Sequence, residues 1–239
     1  MLRPPGHGRT SATDRALAAS LAGIAGAANA IALRATGVFS ANMTGNVSWV
    51  SDHVAAGGWA SAAFFLGVVL AFIAGSFACA AATGSGARRR AHGVYAGCLW
   101  AEAGLLAALS VTCWRASPQG RLFALSFGLA FVMGAQNALA TRLSDAKVRA
   151  THLSGICTDL GIELSNWMGP HVATALPRDR TASHEGLLLQ LITIASFCAG
   201  GVIGAIAFEV VGTWALLLVA VGAAIAAVLG SNGAPRASA

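Results

Sequence analysis

No residue between positions 54 and 87 is charged, and that run alone is long enough to cross a bilayer. A span needs ~20 mostly apolar residues to traverse a hydrocarbon core of ~30 Å. Within the run, 59–82 is the most apolar part. Charge-free windows mark five more candidates. Residues 16–33 lie between Arg15 and Arg34; 94–112 hold a single charge, Glu102; 122–141 come next; 187–208 end at Glu209; and 213–230 complete the set. None of the six contains Pro. Charged residues make up only 10% of the chain and hydrophobic ones 56%. A soluble domain averages about 25% charged residues, so a soluble surface of this size is excluded, as is disorder, which needs low hydrophobicity. Five cysteines, an odd number without a CxxC pair, form no disulfide framework. The fold class implied is all-α: a polytopic integral membrane protein of six transmembrane helices in contact with the lipid bilayer.

Gly (29 residues) and Ala (54) fill the spans. Small residues let helix backbones approach closely in lipid. Gly67, Gly75, Gly97, Gly104, Gly128, Gly134, Gly200, Gly201 and Gly204 are the expected points of approach, with Gly200 and Gly204 in a GxxxG pattern. The first span comes after Arg3, Arg9 and Arg15, and Ala28-Asn29-Ala30 resembles a signal-peptidase site. The same Asn-Ala pair recurs deep in the chain, where no cleavage applies, so the segment reads as a retained span.

Lys and Arg set the orientation. With a cytoplasmic N-terminus, 12 of the 15 basic residues fall in inside segments; only Arg34, Arg115 and Arg121 fall outside or at the outer edge. The expected location is a bacterial inner membrane with both termini cytoplasmic. The formal charge of +6 is then accounted for by loops at an anionic leaflet, and no basic soluble module for nucleic acid exists.

The chain also resembles itself. Residues 26–34 read GAANAIALR and residues 134–142 read GAQNALATR, identical at six of nine positions with an offset of 108. Asn42-Met43-Thr44-Gly45 aligns with His152-Leu153-Ser154-Gly155 at an offset of 110. The expected organisation is a tail (1–15), a three-helix unit (16–112), a connection (113–121), a second three-helix unit (122–230) and a tail (231–239). Three helices per unit reverse the second copy, giving an inverted repeat with polar helix breaks after helices 1 and 4. The first break, 36–51, is uncharged yet holds Ser40, Asn42, Thr44, Asn46 and Ser48. Thr44-Gly45-Asn46 is the expected interruption, with Asn or Thr capping the segment beyond it. The second, 151–167, is more polar still. Both suit backbone that lines a protein-buried or wet cavity, as re-entrant segments or as short helices.

Asn29-Ala30 after a Gly-rich helix start, Met43-Thr44-Gly45-Asn46, Met133-Gly134-Ala135-Gln136-Asn137-Ala138, and a Ser-Gly within 151–161 together resemble the YoaK-type bacterial membrane proteins, grouped as domain of unknown function 1275. The resemblance covers about residues 18–230. It implies a six-helix membrane protein and brings no activity. The family usually has Asp-Ala where this chain has Asn29-Ala30, and Thr-Gly where it has Ser154-Gly155, so no charge-based role carries over to position 29.

Function therefore rests on the polar residues inside the spans. Glu102 is the only charge near a span centre, where insertion costs ~2.5–3.5 kcal/mol, and such residues face a partner or a wet path. It reads as a proton-coupling or cation site, or else as a neutral acid bonded to a neighbouring helix. Asn29 and Asn137 occupy matched positions and read as a shared central site or as interhelical hydrogen bonds. Arg34 and Arg142 read as helix-end anchors or as anion gates. His152, Asp159, Glu163 and Asn166 share a helix face but lack metal-site spacing, so no metal, no catalytic residue and no cofactor is expected. The candidate solute site comprises Asn29, Thr44, Asn46, Glu102, Gln136, Asn137 and Ser154, within a non-enzymatic permease for an unknown small solute or ion, acting as a homo-oligomer. The alternative is a membrane scaffold or regulatory partner.

Overall fold

The computed structural model describes residues 10–84, 91–144, 151–168 and 180–231, and the regular structure among them is helical. The elements are α1 (Ser11–Thr36), α2 (Met43–Ala55), α3 (Trp59–Gly84), α4 (Ala91–Arg115), α5 (Pro118–Ser144), α6 (Leu153–Met168), α7 (Arg180–Val211) and α8 (Ala215–Ser231), the last preceded by a 3-10 turn, Gly212–Trp214. Five stretches are long and apolar enough to cross a membrane. The last of them, His184–Gly230, covers 47 residues and holds both α7 and α8, divided where Gly212 takes a left-handed backbone (φ 60°). The chain is thus a multi-pass membrane protein. The tripled Arg88 to Arg90, with Arg3, Arg9, Lys147, Arg149, Arg178 and Arg236, lie outside the described residues, as does His171.

The two polar stretches are neither loops nor re-entrant coil: each folds into a short helix, α2 and α6. At 13 residues, α2 extends only ~20 Å and cannot span. Each half of the chain therefore carries a fourth, short helix. The expected interruption at Thr44-Gly45-Asn46 is corrected: those residues form the first turn of α2, and the break lies just upstream, where Gly37 closes α1 at φ 73° and donates its N–H to the Leu33 carbonyl (2.8 Å). The connection between α4 and α5 shrinks to Ala116 and Ser117.

α1 and α5 form the middle of the bundle, where α1 buries residues from Leu17 to Ala32 and α5 from Leu125 to Ser144. α1 packs along α7, α5 along α3, and α4 along α8; α2 lies on α3 and α6 on α7. Exchanging α1–α4 for α5–α8 maps these pairings onto one another. The outer helices turn large apolar side chains outward. Leu66, Leu70, Ile73 and Phe77 of α3 recur at helical spacing on one exposed face, and Val202, Ile203, Ile206 and Val210 do so on α7. In water that surface would be untenable; in a bilayer it is the lipid-facing wall.

What holds the pairs together is backbone against backbone. A Cβ added at Gly26 would run into the carbonyl of Phe197, and one at Gly200 into that of Gly23. On the other side, a Cβ at Gly134 would strike the Phe72 carbonyl and one at Gly75 that of Phe131. The two sets of contacts correspond residue by residue. Gly204 adds a fifth, since a Cβ there would stand 2.6 Å from the Ala27 carbonyl oxygen, so the GxxxG pair is a packing surface against α1. Gly97 and Gly104, expected to serve the same purpose, meet nothing within 4 Å and pack no helix, while Gly67 and Gly128 face the side chains of Phe127 and Leu109.

Gly26→Ala and Gly75→Ala should each destabilise the protein by about 3 kcal/mol, the upper end of overpacking costs, because a backbone carbonyl cannot swing aside as a side chain can. Gly97→Ala and Gly104→Ala should be neutral or stabilising by ~0.5–1 kcal/mol through helix propensity alone. Thermal unfolding of the four variants in detergent checks both expectations.

Candidate functional site

The chain turns back on itself after α1 by a set of local hydrogen bonds. Thr36 donates its hydroxyl to the Ala32 carbonyl (2.7 Å) and accepts from the Val38 N–H (3.1 Å). Asn46, 3% exposed, donates to the Phe39 carbonyl at 3.1 Å. Asn42 caps α2, its Oδ1 accepting from the Gly45 N–H (3.1 Å). That cap explains the glycine: a Cβ at Gly45 would stand 2.7 Å from Asn42 Nδ2. At the start of α6 there is likewise no room for a side chain: a Cβ at Gly155 would collide with the His152 ring. Uncharged polar residues are concentrated here because backbone groups away from water need protein partners.

Asn29 ties this turn to α1. Its Oδ1 accepts from the Ala41 N–H (3.0 Å) and from the Ser40 hydroxyl (3.4 Å). Asn137 does the same for the second half: its Nδ2 donates to the Met133 carbonyl (2.9 Å) and to Thr151 Oγ1 (2.5 Å). Backbone partners fix both amide orientations, since an N–H only donates and a carbonyl only accepts. Asn29 is left with its NH2 group, and Asn137 with its oxygen.

Both amides line one cavity of about 860 Å3. The cavity is built from matched pairs: Asn29 with Asn137, Phe72 with Phe197, Met43 with Leu153, and Thr44 with Ser154. The N-terminal ends of α2 and α6 both open onto it, bringing first-turn N–H groups that the helices themselves cannot satisfy. Four of the seven candidate residues, Asn29, Thr44, Asn137 and Ser154, thus come together. Asn46 does not join them; its side chain is spent on the Phe39 carbonyl.

Glu102 and Gln136 lie elsewhere, in a second cavity of about 240 Å3 between α3, α4 and α5. Gln136, 1% exposed, donates Nε2 to the Leu21 carbonyl (3.3 Å). Its Oε1, like Oε1 of Glu102, is buried without a partner. Each such orphan costs ~1–3 kcal/mol. Cys79 of α3 and Cys98 of α4 line the same cavity, although no sequence spacing links them.

The other polar candidates have local roles. Arg34 pairs with Glu209 of α7 at 2.7 Å, half-exposed, and neither Arg34 nor Arg142 lines the main cavity. His53 and Trp49 of α2 both stack on Phe65 of α3 and on each other, fixing α2 to α3. Asp159 is exposed, and among the described residues no cluster of three His, Cys, Asp or Glu side chains can hold a metal. Sequence reasoning missed Phe72 and Phe197. Their signal was present in the recurring Phe-x-x-Gly of 72–75 and 197–200, which emerges only when the outer helices are compared at their own offset.

No curated protein and no solved structure matches this chain. Residues 17–229 match the family described as Protein of unknown function (DUF1275), which covers every spanning helix and both cavities, and the chain belongs to that family.

Proposed function

We propose that this protein is a non-enzymatic carrier for a small polar solute, which passes through the main cavity between two half-chains, α1–α4 and α5–α8, of opposite membrane orientation. The observation that carries the reading is the paired lining of the cavity by Asn29 and Asn137, Thr44 and Ser154, and Phe72 and Phe197. Support for the duplicated, inverted organisation comes from the nine-residue recurrence at an offset of 108 and from the interchangeable helix pairings. Transporters built on inverted repeats place their sites at the repeat interface, beside interrupted helices.

The chemistry of the walls defines the solute. Asn29 offers a donor and Asn137 an acceptor, so the solute carries both functions. The first turns of α2 and α6 add donors and a positive potential, which favours carbonyl or carboxylate oxygens. Phe72 and Phe197 limit its width and give it apolar contact. A solute of amino-acid or amide type fits these terms better than a sugar or a bare ion.

Flux into vesicles holding the purified protein, tested over a panel of radiolabelled amino acids, amides, sugars and ions, checks this directly. Uptake of at least one polar solute is expected; no uptake of any, with folding verified by circular dichroism, would overturn the proposal. Asn137→Leu should reduce transport about tenfold, the size expected from losing one or two buried hydrogen bonds. Asn29→Asp keeps the acceptor for the Ala41 N–H and removes the NH2 donor. Its fold should therefore survive while preference shifts from acceptor-bearing to donor-bearing solutes. If both variants instead lower thermal stability while the protein that remains folded transports as the wild type does, the amides act as interhelical glue and the site lies elsewhere.

A further inference from the structure

The second cavity has a composition that asks for one particular occupant. It is lined by apolar side chains except for Glu102, Gln136 and the thiols of Cys79 and Cys98. Glu102 is 5% exposed and Gln136 1%, and Oε1 of each is buried with no hydrogen-bond partner. The Leu21 carbonyl holds the Gln136 NH2 group, so the atom left over is an oxygen, which can only accept. An ionised carboxylate can also only accept. Among the described residues no Lys, Arg or His lines the cavity to satisfy either, and Glu102 is the only buried carboxyl.

One proton resolves both deficits. It removes the charge on Glu102, and the resulting O–H supplies the donor that Gln136 lacks. We propose that this cavity is a proton-binding site, in which Glu102 is held as the neutral acid with Gln136 as its acceptor. The neighbouring ionisable groups are few. Cys98 precedes Glu102 by one turn on α4, Cys79 lines the cavity from α3, and Arg142, in the last turn of α5, stays outside the lining. α8, packed against α4, has no charged residue from Gly212 to Ser231. Gln136 adjoins Asn137, so the proton site and the main cavity share one turn of α5. The assignment stands whether or not a solute crosses the main cavity.

Infrared spectroscopy of the full chain in lipid, in H2O and D2O, tests it without any solute. At neutral pH the wild type should show the C=O band of a protonated carboxyl that shifts on deuteration, and Glu102→Gln should lose it. Gln136→Leu should move the band to higher frequency, because the acid loses its acceptor while remaining in place; this shift decides the matter alone if Glu102→Gln does not fold. Replacing potassium by sodium should leave the band unchanged. The proposal is overturned if folded wild type shows no such band at neutral pH. It is equally overturned if the band survives Glu102→Gln, ignores Gln136→Leu, or gives way to a carboxylate signal on adding sodium, which would assign the cavity to a metal cation.

Discussion

Helices in lipid gain little from burying apolar side chains against one another, because acyl chains offer the same contact. The fold therefore depends on how closely backbones can meet. Gly26 against the Phe197 carbonyl and Gly134 against the Phe72 carbonyl bring α1 onto α7 and α5 onto α3 at the closest spacing a helix allows. Those contacts govern much else. One turn beyond Gly26 comes Asn29, and one turn beyond Gly134 comes Asn137, so the glycines that fix the helix pairs also set the position of the amides. The same contacts bring Phe72 and Phe197 to the cavity wall. A cavity of this size persists because its walls are held by main-chain contact rather than by side chains that could collapse into it.

The turn after α1 solves a second problem. Backbone that leaves a helix away from water needs other hydrogen-bond partners. Here side chains take that place: Thr36 for the Val38 N–H, Asn46 for the Phe39 carbonyl, and Asn29 for the Ala41 N–H. Asn29 and Asn137 each use one end of the amide for a hydrogen bond within the protein, and both side chains also line the main cavity.

The spans were legible because charge is so scarce that its gaps outline the helices, and the recurrence of Gly26 to Arg34 at Gly134 to Arg142 singled out α1 and α5 as counterparts. Their shared place in the middle of the bundle agrees with that match. Four cavity residues were legible because polar side chains in apolar windows stand out. Other features were hidden for physical reasons. Whether a polar stretch is coil or helix depends on a cap, and Asn42 was one of several residues able to serve. Which glycines pack depends on helix rotation, so Gly97 and Gly104 read no differently from Gly75. Neighbouring residues on a helix point about a third of a turn apart, so Gln136 and Asn137, adjacent in sequence, serve different cavities. Cys79 and Cys98 share a cavity because α3 and α4 both flank it, and no local pattern records this.

The two halves agree in packing and disagree in chemistry. Four of their close glycine contacts, at Gly26, Gly200, Gly134 and Gly75, correspond position by position. The polar groups do not correspond. Asn29 presents a donor where Asn137 presents an acceptor, Asn42 caps α2 where His152 precedes α6, and Glu102 on α4 faces a cavity for which the uncharged α8 has no equivalent. The cavity therefore meets a donor at Asn29 and an acceptor at Asn137, while the close glycine contacts keep the helices that carry them in register.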